Sequence, residues 1–285
     1  MKVIPPPPFR MVGDGFRVHN FFPSDPDIGV EGMSPFFLLD YGSKYYFPPA
    51  DRPRGVDVHP HKGFETVTIA YHGSVAHQDS AGNKGVINEG DVQWMTAASG
   101  ILHKEYHEEN FTRKGGLFQM VQLWVNLPAR FKTIPPRYQA IRKEDIVRHK
   151  LPDNISEIGI IAGEYSAESG PASTFTPISL FDVRLMAGIT TEFRFPENYN
   201  TGLLVIEGRI KINFETEVDE NNFIKLDNNG EYFDIEAIKD SIVLIMSGEP
   251  INEPIVARGP FLLNSEEEIR EAYDDFRNGK FGYLE

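Results

Sequence analysis

With 285 residues, of which 40% are hydrophobic and 25% charged, the chain can bury the cores of two domains and is globular rather than disordered in composition. It has no cysteine, which excludes disulfides, iron–sulfur ligation and thiolate nucleophiles and leaves nitrogen and oxygen as metal donors. The net charge of −14 comes from the second half: residues 1–150 carry 18 Lys+Arg against 16 Asp+Glu, and residues 151–285 carry 10 against 26. That acidic balance disfavours direct binding to nucleic-acid phosphates.

In chain order, residues 5–23 are rich in proline and phenylalanine and predict an extended arm or edge strand. Pro5 to Pro8 stand where a secretory leader would need an apolar helix, so no signal peptide is expected. The longest apolar run, Ile242 to Met246, is far below the ~20 residues of a membrane span, and a cytosolic location is expected. A short strand is predicted over Phe36 to Asp40, with Tyr45 to Pro53 as a loop. Gly55 to Tyr71 is rich in strand formers such as Thr66, Val67, Thr68 and Ile69, and Gly73, Gly82, Gly85 and Gly90 mark tight turns after it. No helical periodicity interrupts residues 55–128. Gly116 to Leu127 predicts a strand buried on both faces, ended by Pro128, and Phe131 to Tyr138 reads as a linker.

The second half predicts further strands over Phe181 to Met186, Thr190 to Phe195, Gly202 to Ile206, Arg209 to Phe214, Glu231 to Ile235 and Ser241 to Met246. No histidine follows His149. At the C-terminus, Ser265 and Glu268 have capping-box spacing. Ile269, Ala272, Tyr273 and Phe276 then fall on one helical face, so a short helix to about Arg277 is expected as a packing lid. The whole predicts an all-β protein of two small antiparallel barrels, residues 1–138 and 139–285, with a short C-terminal helix.

The chemistry concentrates between Val58 and Glu105. His59-Pro-His61 and His103-Lys-Glu105 each place two ligand-type residues two apart, on one face of a strand. Two such pairs on facing strands would surround one divalent metal with three imidazoles and a carboxylate. Iron, manganese, nickel and zinc all suit that donor set. Glu65 has the same strand parity as His59 and His61 and is an alternative carboxylate. His72, His77 and His107 are expected to be surface or hydrogen-bonded residues, with His107 a candidate to orient a ligand. No Gly-x-Ser-x-Gly or Walker-type phosphate loop is present.

The strings His59-Pro-His-Lys-Gly-Phe-Glu65-Thr-Val-Thr68, His77-Gln-Asp-Ser80, Gly90-Asp-Val-Gln-Trp-Met-Thr-Ala97 and Gln122-Leu-Trp-Val-Asn-Leu-Pro128 resemble the pirin family of the cupin superfamily. Gly259-Pro-Phe261 and Asn264 to Ile269 agree with it. The resemblance covers almost the whole chain and implies a bicupin with metal ligands in the first barrel only. The wider cupin pattern would place the carboxylate ligand at Glu65, whereas pirins place it two residues after the third histidine, which favours Glu105. The implied set is His59, His61, His103 and Glu105 around one metal per chain, iron(II) first.

Two functions follow from the resemblance. One is a quercetin 2,3-dioxygenase that cleaves a planar flavonol with O2, with Glu105 as catalytic base and Phe36, Phe64, Met120 and Trp124 around the metal. The other is a metal-binding, redox-sensing regulator acting through a protein partner as a transcriptional cofactor or enzyme modulator. An open pocket at the metal would favour the first.

Overall fold

The computed structural model describes residues 1–285. The chain forms two compact units that interleave in sequence: one holds residues 8–31, 36–143 and 251–285, the other residues 1–7, 32–35 and 144–250. The chain crosses from one unit to the other at 143/144. The chain ends, however, are exchanged relative to a simple cut at residue 138. Lys2–Ile4 is a strand paired with Phe223–Lys225, and a backbone pairing of that kind carries no compositional signal.

In the first unit a seven-stranded antiparallel sheet runs in the order Arg137–Ile141, Val92–Thr96, Phe64–His72, Gly116–Asn126, Phe36–Phe47, Phe16–Phe22, Arg10–Val12. A four-stranded sheet, Gly55–His61, Ile101–His107, Val75–Asp79 and Lys84–Ile87, completes the barrel. Phe16, Val18, Phe47, Ala70, Phe118 and Met120 of the large sheet pack against Val75 and Ile87 of the small one. Burying alternate residues of both sheets is what holds such a double sheet together. Gly116–Asn126 is a central strand, paired on its two edges with Phe36–Phe47 and Phe64–His72, and from Phe118 onward its residues are buried or half-buried on both faces.

Three local expectations change. The strand begun at Phe36 continues through Tyr45 to Phe47, where a loop was expected. Arg137–Ile141, at the end of the expected linker, is an edge strand paired with Val92–Thr96. A six-residue helix, Glu109–Lys114, follows Glu108, whose carboxylate accepts from the backbone N–H groups of Asn110 and Phe111. One and a half turns are too short for apolar periodicity to reveal.

The second unit repeats the plan. A seven-stranded sheet, Lys2–Ile4, Phe223–Lys225, Asn200–Glu207, Ser241–Gly248, Ile178–Leu185, Glu157–Ala162 and Val147–Lys150, accompanies a four-stranded one of Thr190–Arg194, Tyr232–Ala237, Arg209–Ile212 and Thr216–Asp219. Phe181, Leu203 and Ile245 of the first meet Phe193, Ile210 and Ile235 of the second in one core. The C-terminal helix, Glu266–Arg277, belongs to the first unit and has the expected capping box: Glu268 N–H donates to Ser265 Oγ, and Ser265 N–H donates to Glu268 Oε2. It packs Ile269 and Ala272 on Phe261, Leu263 and Phe281. No helix is long and apolar enough to cross a membrane.

Within the first unit Lys132 is a buried tie. Its Nζ donates to Gly63 O at 2.6 Å, Asn126 Oδ1 at 2.6 Å and Leu262 O at 2.9 Å. Three acceptors match the three protons of an ammonium, and they hold the charge in place while burial pushes the pKa down to about 7. Lys132→Met leaves three buried oxygens without a donor and is expected to destabilise the protein by ~3 kcal/mol or more in urea denaturation.

Candidate metal centre

Gly55–His61 and Ile101–His107 are antiparallel neighbours in a register that sets His59 directly opposite His103 and His61 opposite Ile101. The histidine rings therefore converge, with centroids 4.2 Å apart for His59 and His103, 4.7 Å for His61 and His103, and 4.9 Å for His59 and His61. His59 Nδ1 lies 2.8 Å from Asp57 O and His61 Nδ1 lies 3.4 Å from Pro260 O, so each ring donates to a carbonyl and presents Nε2 inward. His61 and His103 are held well below the usual histidine pKa, first by burial and then by neighbouring histidines. They are neutral, the form that ligates a metal.

On the far side of Ile101–His107 runs Val75–Asp79, with His77 opposite Glu105 and Asp79 opposite His103. Donor atoms of His59, His61 and His103 lie within 4.8 Å of one another, as do those of His77, His103 and Glu105. His103 is common to both groups. It is fully buried, and neither of its ring nitrogens has a hydrogen-bond partner in the protein. Two orphaned nitrogens on one buried ring, among other histidines and a carboxylate, fit a divalent metal, which would supply the missing partner.

Glu105 is 8% exposed. Its Oε1 accepts from Gln93 Nε2 at 3.2 Å and lies 3.2 Å from Thr68 Oγ1. Thr68 also lies 2.8 Å from Gln122 Oε1, and its single proton serves one acceptor at a time. Tyr138 donates to Gln93 Oε1 at 3.3 Å and stacks on His77, with ring centroids 5.1 Å apart. Thr68, Gln93 and Tyr138 were not singled out from the sequence. They reach Glu105 through cross-strand register, and no local spacing announces that.

The other expected residues fall in varied places. Glu65 donates nothing to these groups: its Oε1 accepts from Thr96 Oγ1 at 2.7 Å, and it lies outside both clusters. His77 is hydrogen-bonded, to Asp79 at 3.3 Å, but it is buried on the strand Val75–Asp79 and joins the donor group of His103 and Glu105. His107 orients no ligand. Its Nε2 donates to Gly15 O, 2.8 Å away, amid Phe16, Phe47, Phe111 and Phe118, and burial pushes its pKa down to about 4. His72 is a partly exposed neighbour of Glu89.

Burial pushes the Glu65 carboxyl up to about 7 against the hydrogen bond from Thr96. The unfolded chain ionises near 4.5, so Glu65 favours the folded state fully below that pH. Its contribution declines by ~3 kcal/mol as pH rises from 4.5 to 7. Glu65→Gln is therefore expected to match the parent protein near pH 4.5 and exceed it in stability above pH 7, while keeping full metal content. A variant that loses the metal would restore Glu65 as the ligand.

A cavity of about 650 Å³ opens onto His59, His61 and Glu105 and is walled by Val18, Phe37, Leu38, Met120 and Trp124. Of the expected ring, Met120 and Trp124 line it. Phe64 is fully buried beneath Trp124, the two rings stacked at 4.2 Å. Phe36 is not part of the wall: it is fully buried, and Phe37 takes its place at a bulge in the pairing with Gly116–Asn126, where Phe37 and Leu38 both reach the cavity.

Two cupin-type barrels, one of which gathers histidines and a carboxylate at the mouth of an apolar cavity, define a bicupin with a candidate metal site. Residues 15–125 match the Pirin family and residues 180–282 the Pirin C-terminal cupin domain, and the chain belongs to the pirin family. It is 48% identical over 270 residues, covering 95% of this chain and 93% of the other, to a Pseudomonas aeruginosa protein provisionally named quercetin 2,3-dioxygenase. A pirin-like protein of Solanum lycopersicum is 37% identical over 258 residues, covering 89% of this chain and 84% of its own length. The crystal structure of a quercetin 2,3-dioxygenase from Acinetobacter baumannii superposes with a TM-score of 0.94 at 44% identity, covering 100% of this chain and 98% of that one.

Proposed function

We propose that this protein is a ring-cleaving dioxygenase of the quercetin 2,3-dioxygenase type that holds one divalent metal, iron(II) in the cell, through His59, His61, His103 and Glu105. The observation that carries this reading is the open, aromatic-walled cavity that reaches the histidines and Glu105. Its volume and its mixture of apolar wall and few polar groups suit a planar small molecule. The relatives named for quercetin cleavage support the same reaction class.

A divalent metal bound there supplies Lewis acidity and, as iron, electron exchange with O2. The residues do the rest. Trp124, stacked on Phe64 and Phe37, gives the cavity a flat aromatic wall for a planar ring. Thr68 and Gln93 occupy Oε1 of Glu105, which leaves Oε2 to bind the metal or to take the proton of a substrate hydroxyl. The apolar walls keep water from competing with the substrate.

The test is reconstitution with iron(II) under argon, followed by quercetin and then oxygen. Loss of quercetin absorbance matched by oxygen uptake is expected. No loss beyond that of a metal-free control would overturn the enzyme reading and leave the regulatory one, for which a pull-down from the source cytosol is the next measurement.

A further inference from the structure

Five residues in direct register cross the seven-stranded sheet: Asn20 opposes Asp40, Asp40 opposes Gln122, Gln122 opposes Thr68, and Thr68 opposes Gln93. Directly opposed residues share a face, so they form one polar row across the sheet. At one end, Thr68 and Gln93 hold Glu105. At the other, Asn20 Nδ2 donates to Asp40 Oδ1 at 2.7 Å, and Arg10 donates to Asp40 Oδ1 at 3.3 Å and Oδ2 at 3.1 Å. Arg10, Asn20, Asp40 and Gln122 line the same cavity as His59, His61 and Glu105. Neighbouring strands are about 4.8 Å apart, so Asp40 stands about 10 Å from Thr68, a span that two linked aromatic ring systems cover.

A purely structural ion pair explains this end poorly. Asp40 is 8% exposed, while the Arg10 side chain is 54% exposed and screened by water, so the pair returns little for removing a carboxylate from solvent. Asp40 also has acceptor capacity left: each carboxylate oxygen takes two hydrogen bonds, and Oδ2 has one protein donor.

Resting on the reading of an aromatic substrate, we propose that Arg10, Asp40 and Asn20 form a second binding subsite, remote from the histidines, in which Asp40 Oδ2 accepts a hydrogen bond from a hydroxyl on the substrate's far ring. The subsite selects neutral, hydroxylated rings over aromatic carboxylates, because the charge of Arg10 is already paired with Asp40. Gln122, midway along the row, lies beneath the bound molecule.

The test measures binding of three 3-hydroxyflavones, with two, one or no hydroxyls on the pendant ring, to the iron-reconstituted protein without oxygen, by absorbance titration. The parent protein is expected to bind the dihydroxylated compound about tenfold more tightly than the unsubstituted one. Asp40→Asn turns an amide donor toward the cavity. It is expected to bring the ratio within about twofold while leaving affinity for the unsubstituted compound unchanged. An Asp40→Asn variant that keeps the tenfold preference overturns the subsite. So does a parent protein that binds all three equally, and this arm needs no variant to fold. If the parent protein binds none of them, the aromatic-substrate reading itself falls, and the subsite with it.

Discussion

Replacing Glu105 with glutamine is expected to lower quercetin turnover by about 10²- to 10⁴-fold, the contribution of a well-placed general base. Glutamine keeps an oxygen for Thr68 and Gln93, so the carboxylate is lost while its hydrogen-bonded mooring is kept. Glu105→Ala should lose at least as much and weaken metal binding as well. The measurement is oxygen uptake and quercetin loss at matched metal content. Turnover within tenfold of the parent would remove Glu105 as the base and point to a proton acceptor elsewhere in the cavity. Glu65→Ala, by contrast, breaks a buried contact with Thr96 and is expected to act on stability rather than on chemistry.

The second large effect is expected at His103. It belongs to both groups of converging donors and has no protein partner for either ring nitrogen, so its removal takes away the residue the two groups share. His103→Ala is expected to weaken metal affinity by more than about 100-fold, the upper range for losing an outer partner of a ligand. Elemental analysis should find about one metal per chain in the parent and close to none in the variant. A thermal readout is independent of activity: a ligand that binds the folded state raises its stability, so added metal should raise the melting temperature of the parent and leave His103→Ala unmoved. Full metal content in the variant would show that the remaining donors suffice.

Features fixed by short-range geometry were legible in the residues alone. Residues two apart on a strand face the same way, which made His59 with His61 and His103 with Glu105 legible as pairs. A serine three residues before a glutamate caps a helix through contacts within one turn, and Ser265 and Glu268 do so. Closely spaced glycines and alternating apolar residues marked both halves as β-structure for the same local reason.

Features that depend on how distant strands align emerge only from the folded arrangement. The His59–His103 register, with a bulge between His103 and Glu105, brings Glu105 to the histidines and leaves Glu65 against Thr96. The same alignment draws in His77, Thr68, Gln93 and Tyr138, exchanges Phe36 for Phe37 in the cavity wall, and lines up Asn20, Asp40 and Gln122 into one polar row. It also exchanges the chain ends between the two units. Parity fixes which face a side chain takes on its own strand. Which residue stands opposite it is set by hydrogen-bond register and bulges between segments tens of residues apart, and a shift of one residue there would reverse the face of every side chain on the strand.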